Sequence, residues 1–187
     1  MKKEIITIAG AVGSGKSSTA KRVASLLSYQ HLSSGDLFRK IASERGLSVE
    51  ALNLTAEEQA DIDHQVDSWL QELGQTGSKV VIDSRLAWHW MPESYKVFLT
   101  LDHDTAAERI FNHIQTEGRV SQTGTSLEEV RQNIDTRVAS EQKRYRELYN
   151  VDVTDTAPFD LVIDTKTNGL EAVVASVIEG YRAWRAL

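Results

Sequence analysis

No cysteine occurs anywhere in the 187 residues. That excludes disulfides, thiolate nucleophiles and cysteine-ligated zinc together, and it fits a reducing compartment. Long apolar runs are missing as well: none approaches the roughly 20 residues that span a bilayer. The apolar part of the opening MKKEIITIAG is too short for the central region of a signal peptide. A cytoplasmic protein without a membrane partner is expected. Proline is confined to Pro92 and Pro158, and no repeat, low-complexity tract or Pro/Gly/Ser linker divides the chain. One domain over residues 1–187 is therefore expected, as a monomer. Excess positive charge is also lacking. The formal net charge is −6, which argues against nucleic acid as a partner, because phosphate backbones are held by clustered Lys and Arg. The five histidines show no metal-ligand spacing, and His89, between Trp88 and Trp90, reads as packing.

What is present is a regular alternation. Glu4–Ile8 is a β-branched run ending at glycine, and Ser17–Leu27 carries Ala20, Val23, Ala24 and Leu27 at helical spacing. Tyr29–Leu32 reads as a strand and Leu37–Arg45 as a helix. Thr55-Ala-Glu-Glu58 has capping-box form and is expected to open a polar helix reaching Leu73, broken by Gly74–Ser78. Lys79–Asp83 and Lys96–Leu101 read as central strands, and Thr105–Thr116 as a helix before a loop over Glu117–Thr125. Ser126-Leu-Glu-Glu129 is a second capping box, for a helix ending near Tyr149. Leu161–Asp164 is the last strand and Leu170–Leu187 the last helix. Strands alternating with helices give a parallel sheet, and right-handed crossovers make it a three-layer, doubly wound α/β domain.

The segment Gly10-Ala-Val-Gly-Ser-Gly-Lys-Ser17 matches G-x-x-x-x-G-K-[ST] and lies between an expected strand and an expected helix. Its glycines permit a concave path whose N–H groups point at phosphate oxygens, and the helix that follows adds its positive end. Gly10, Ala11, Val12, Gly13, Ser14, Gly15, Lys16, Ser17 and Ser18 are the expected ATP-binding residues. Lys16 would reach the β- and γ-phosphates, and Ser17 would ligate Mg²⁺. Chance produces the pattern in roughly one per cent of chains this long. A dinucleotide fold would need different glycine spacing and an acidic residue after the second strand, where this chain has Ser33-Ser34. Asp83, closing the strand KVVID, is the second expected metal residue.

Leu32-Ser-Ser-Gly-Asp-Leu-Phe-Arg39 follows the second strand on the side where ligands collect. Here the chain resembles the nucleoside monophosphate kinases, whose acceptor segment reads S-G-D-x-x-R. The likeness continues through Asp83-Ser-Arg-Leu-Ala87, Arg137-Val-Ala-Ser-Glu-Gln-Lys-Arg-Tyr145, Tyr149-Asn-Val-Asp152 and Leu161-Val-Ile-Asp164. In that order these segments resemble the short, archaeal-type cytidylate kinases, from Ile5 to Leu187. The resemblance implies a P-loop nucleoside triphosphate hydrolase fold, with an acceptor region over residues 34–75 and a small mobile lid over 112–145. It implies Ser34 at the cytosine edge beside Gly35 and Asp36, Arg39 and Arg85 on the acceptor α-phosphate, and Glu141 near the acceptor sugar. Lid residues Arg137 and Arg144 would reach the transferring phosphoryl group, and Arg109 the ATP base. The catalytic set is then Lys16, Arg85, Arg137 and Arg144. Members of this branch carry glycine before and soon after the Arg85 position; this chain has Ser84 and Trp88. Trp88 is expected to fill space or to stack on a base.

Physical chemistry supports the arginines independently. Positions 137, 141 and 144 share one helical face. Two polyanions can be brought together only against fixed positive charge, and the guanidinium fork matches phosphate oxygens. A phosphate acceptor is already ionised, so no strong base is needed. An alcohol acceptor needs one, and Asp36 keeps a small-molecule kinase open. An AMP-type kinase is the nearest alternative, and a non-catalytic, regulatory ATP-binding module the second.

Overall fold

The run IITIAG forms strand β1 (Ile5–Gly10), in which every residue is buried. Alternation sorts its side chains: Ile6 and Ile8 join a core with Val81, Val97 and Leu99, while Ile5 joins another with Val80 and Ile82. A strand buried on both faces requires helices on both sides of its sheet. The computed structural model, which describes residues 3–58, 61–117 and 126–187, has that arrangement. The all-parallel sheet runs in the order β2 (Gln30–Ser33), β3 (Val80–Asp83), β1, β4 (Tyr95–Thr100), β5 (Leu161–Asp164). Helices α1 (Lys16–Leu27) and α8 (Leu170–Ala186) cover one face through Ala20, Val23, Val173 and Val177. Helix α2 (Ser34–Glu44), α3 (Val49–Glu58) and α4 (Asp61–Thr76) build a smaller core around Ile41, Leu52 and Ile62. With the one-turn α5 (Ala87–Trp90), α4 covers the second face through Leu70, Ala87 and Met91. Beyond the end of β1, α6 (His103–Glu117) and α7 (Leu127–Tyr149) enclose Val12 with Ala107, Ile110, Val130 and Ile134. The fold is the three-layer, doubly wound α/β domain expected.

Two local expectations are corrected. Thr55 does not cap a helix: it lies inside α3, where its hydroxyl donates to the Ala51 carbonyl. The cap is Ser48, whose oxygen accepts from the Ala51 N–H at 3.1 Å, and Leu52 and Ala56 make this stretch an amphipathic helix of its own. The second helix starts at Ser34 rather than Leu37, because Ser33 accepts from the Asp36 N–H and serves as N-cap. The short α5 was not foreseen. Ser126 does cap α7, accepting from Glu129 N–H. Most of the expected loop over Glu117–Thr125, and with it part of the lid region, lies outside the described residues.

Register brings the functional segments together. Asp83 stands opposite Ile8 on one side and Ser33 on the other, so the ends of β1, β2 and β3 share one edge. Gly10 pairs with Leu99 at φ +141°, where an added Cβ would lie 2.2 Å from the Leu99 carbonyl oxygen. Only glycine allows the chain to leave the sheet at that point. No helix among the described residues is long and apolar enough to cross a membrane.

Candidate active site

The strand ends open into a cleft of about 360 Å³. One wall is the loop after β1, contributing Val12, Gly13, Gly15, Lys16, Ser17 and Ser18; α2 contributes Ser34, Gly35 and Arg39. Asp83 and Arg85 form the floor, with Arg109 from α6 and Arg137, Glu141 and Arg144 from α7 above it. Most residues expected at the site thus line one cavity. Gly10 and Ala11 lie behind the loop and brace it: Lys16 Nζ donates to both of their carbonyls, at 2.9 and 2.6 Å. Ser14 is buried and donates to the Ala11 carbonyl, so its side chain tightens the loop. Asp36 does not line the cleft; its carboxylate is largely exposed and pairs with Arg39.

Lys16 sits among like charges. Burial, together with the Arg85 and Arg137 guanidinium groups, brings its pKa down to about 7. Opposite it, Asp83 accepts from Ser33 Oγ at 2.6 Å and bonds to His31 Nε2 at 3.0 Å. Burial alone would raise this carboxyl, but hydrogen bonds from His31, Ser33 and Ser17 outweigh it and hold the pKa below its ordinary value. An ionised carboxylate beside a serine hydroxyl at the phosphate loop is a hard-oxygen pair suited to Mg²⁺. No cluster of three or more His, Cys, Asp or Glu that would hold a metal exists among the described residues, so such an ion would also rely on ligand phosphate oxygens.

Glu141 is the buried centre of the cationic wall. It pairs with Arg85 Nε through one oxygen and with Arg137 Nε at 2.9 Å through the other. Burial would raise its pKa, yet Arg85 and Arg137 hold it below the usual carboxylate range. Arg85 also donates to the Gly10 carbonyl at 3.2 Å, linking this wall to the loop. Arg144 lines the cleft but is interior: it is 3% exposed, with Nε on Asp63 at 2.9 Å and Nη atoms on Asn53 and Ser140. Arg109 donates to the Thr165 carbonyl at 2.7 Å. Trp88 fills space: its indole N–H donates to the Arg85 carbonyl, its ring packs on Phe159, and it does not line the cleft.

Sequence reasoning passed over His31 and Ser33, which orient Asp83, and over Asn53, Asp63, Asp67 and Tyr145, which line the cleft. A signal existed for the acids. In α4 the buried positions are Ile62, Asp63, Asp67, Leu70 and Gly74, so two carboxylates occupy places an amphipathic helix normally gives to apolar residues.

Residues 5–167 match the family model described as the cytidylate kinase-like family. The chain belongs to that family. A cytidylate kinase of Natronomonas pharaonis is 36% identical over 183 residues, covering 95% of this chain and 90% of the relative. One from Haloarcula marismortui is 34% identical over the same shares. Among solved structures, a shikimate kinase of Bacteroides thetaiotaomicron superposes with TM-score 0.61 at 16% identity, covering 97% of this chain and 98% of the other. A gluconokinase of Sinorhizobium meliloti superposes with TM-score 0.62 at 16% identity, covering 98% and 94%. These two share the fold. Family membership makes the chain an ATP-dependent phosphotransferase acting on a small, nucleotide-like acceptor.

Two outcomes follow for this kinase. A bound triphosphate raises the Lys16 pKa from about 7, so ATP·Mg²⁺ binding takes up close to one proton at about pH 8 and almost none at about pH 6. Calorimetry in buffers of different ionisation enthalpy measures this, and equal uptake at both pH values would contradict the Lys16 assignment. Arg144→Ala leaves Asp63 buried without its cation and lowers unfolding stability by about 3–5 kcal/mol. Arg137→Ala leaves buried Glu141 its second partner, Arg85, and costs less than Arg144→Ala. Urea denaturation distinguishes them, and equal losses would contradict this division.

Proposed function

We propose that this kinase transfers the γ-phosphoryl group of ATP to the α-phosphate of CMP or dCMP, giving ADP and CDP or dCDP. The observation that carries the reading is the convergence of Lys16, Arg39, Arg85 and Arg137 on one cleft from four separate segments. So much fixed positive charge suits two phosphate-bearing ligands. The alternative of an alcohol acceptor needs a free carboxylate as base. Asp36 is outside the cleft and paired with Arg39, while Glu141 is held ionised between two arginines, which makes both poor proton acceptors.

In this reading Lys16 and the N–H groups of the Gly10–Ser18 loop hold the β- and γ-phosphates, and Arg109 lies against the ATP base. Ser17 and Asp83 hold Mg²⁺, which when bound neutralises charge on the phosphate oxygens. Arg39 and Arg85 grip the acceptor phosphate, and Ser34 and Gly35 line its approach. Arg137 turns to the transferring group as the lid over residues 112–145 closes. Glu141 keeps Arg85 and Arg137 oriented until phosphate takes its place as their partner. Arg144 is a positioning residue, acting through Asp63 and Asn53. In this reading the protein is a monomer, and it is cytoplasmic, a compartment that the absence of cysteine favours.

The test is ADP release from ATP·Mg²⁺ with CMP, dCMP, UMP, AMP, GMP, shikimate or no acceptor. CMP and dCMP are expected to exceed every other acceptor by about tenfold or more in kcat/KM. A CMP rate no greater than the blank overturns the reading. AMP outpacing CMP by about tenfold would leave the reaction class intact and make the base an adenine.

A further inference from the structure

The cleft is electrically divided. Lys16, Arg85 and Arg137 stand together beside the phosphate loop, whereas Asp63 and Asp67 of α4 line the cleft with Phe38, Val66 and Leu70, Asp63 being paired with Arg144. The two acids stand one helical turn apart on α4, and both are 5% exposed. They differ in what holds them. Asp63 is neutralised by Arg144 through one oxygen, Oδ2. Asp67 has no lysine or arginine partner among the described residues. Its carboxylate instead accepts from the Trp90 indole N–H at 3.0 Å and from the Tyr149 hydroxyl, one donor on each oxygen. Burial raises its pKa despite those two bonds.

A buried carboxylate without a cation is costly, and two neutral donors offset only part of that cost. Each carboxylate oxygen has a second lone pair, so Asp67 can accept further hydrogen bonds from a ligand. It cannot serve phosphate, since the charges are alike. It suits a ligand edge that carries N–H groups, and the apolar side chains around it suit the faces of a flat ring. The location agrees with this. Tyr149, which reaches Asp67, lies eight residues after Glu141 on α7, about 12 Å along the helix axis. That is the scale of the distance from phosphate to base edge in a mononucleotide.

We propose that Asp67, held by Trp90 and Tyr149, accepts a hydrogen bond from the exocyclic amino group of the acceptor base and thereby excludes uracil. Cytosine presents an amino group at the position where uracil presents a carbonyl oxygen. Against a carboxylate oxygen that carbonyl sets lone pair against lone pair and leaves the acid without a donor, a mismatch a binding site rejects strongly. The inference rests on the nucleoside monophosphate kinase reading given above, and it names a specificity residue for that reaction.

The experiment has two arms, both read as kcat/KM. With the unaltered enzyme, CMP, UMP and N4,N4-dimethyl-CMP are compared. The dimethyl analogue, which has no amino hydrogen, is expected to fall to the level of UMP, and phosphorylation as fast as CMP would overturn the proposal. In the second arm Asp67→Asn, a nearly isosteric change, is expected to cut the preference for CMP over UMP by about tenfold or more. A purely structural role would lower both substrates together and keep their ratio, and that result also overturns the proposal. If Asp67→Asn does not fold, Tyr149→Phe removes one of the two bonds that aim the carboxylate and is expected to lower the same ratio; an unchanged ratio there counts against it. Failure of the unaltered enzyme on CMP, UMP and AMP alike would instead remove the kinase reading itself, so the two failures are distinguishable.

Discussion

Glu141 lies buried between Arg85 and Arg137, and the geometry of the cleft depends on that contact. Three otherwise separate pieces meet there. Arg85 follows β3 and donates to the carbonyl of Gly10, Arg137 and Glu141 stand one turn apart on α7, and Lys16 feels the charge of all three. A guanidinium with no anion at this site would turn toward solvent, and the buried carboxylate keeps both guanidinium groups in place. The arrangement also leaves the wall with surplus positive charge, since one carboxylate faces two arginines. Burial lowers the Lys16 pKa, and that surplus lowers it further. In the proposed function, the interaction that orders the cleft is the one that a substrate phosphate exchanges for its own.

A second buried pair provides the frame. Arg144 with Asp63, Asn53 and Ser140 binds α7 to α3 and α4. Two arginines on one face of α7 therefore do different work: Arg137 is half-exposed at the cleft, and Arg144 is interior. Asp67 and its donors Trp90 and Tyr149 continue the same seam toward α5 and the end of α7. The cleft thus holds Lys16, Arg85 and Arg137 beside the phosphate loop and, on α4, the carboxylate of Asp67 without a lysine or arginine partner among the described residues, a contrast on which the proposed base recognition rests.

The sequence alone disclosed what depends on short stretches. The phosphate loop needs eight consecutive residues, the alternation of β1 needs six, and the Ser126 cap needs four; all were legible. The doubly wound sheet followed because strands buried on both faces demand two helical layers. Where the outcome rests on distant partners, short stretches of sequence leave it open. Arg144 and Asp63 are 81 residues apart, and nothing near either shows that the arginine is interior. Trp88 owes its place to Phe159, a neighbour only in space. Ser33 and Ser34 are equivalent in composition, and only the end of β2 beside Asp83 decides which becomes the cap. At Thr55 the capping-box pattern was outweighed by Leu52 and Ala56, which the core requires in a helix already under way.

In the proposed function this cationic cleft serves an acceptor that is itself a phosphate. The most direct test compares ADP formation by the unaltered enzyme with CMP and with cytidine, which differ only in that group. The kcat/KM for cytidine is expected to be lower by about a thousandfold or more, since Arg39 and Arg85 then have no acceptor phosphate to hold. Phosphorylation of cytidine at a rate comparable with CMP would contradict it.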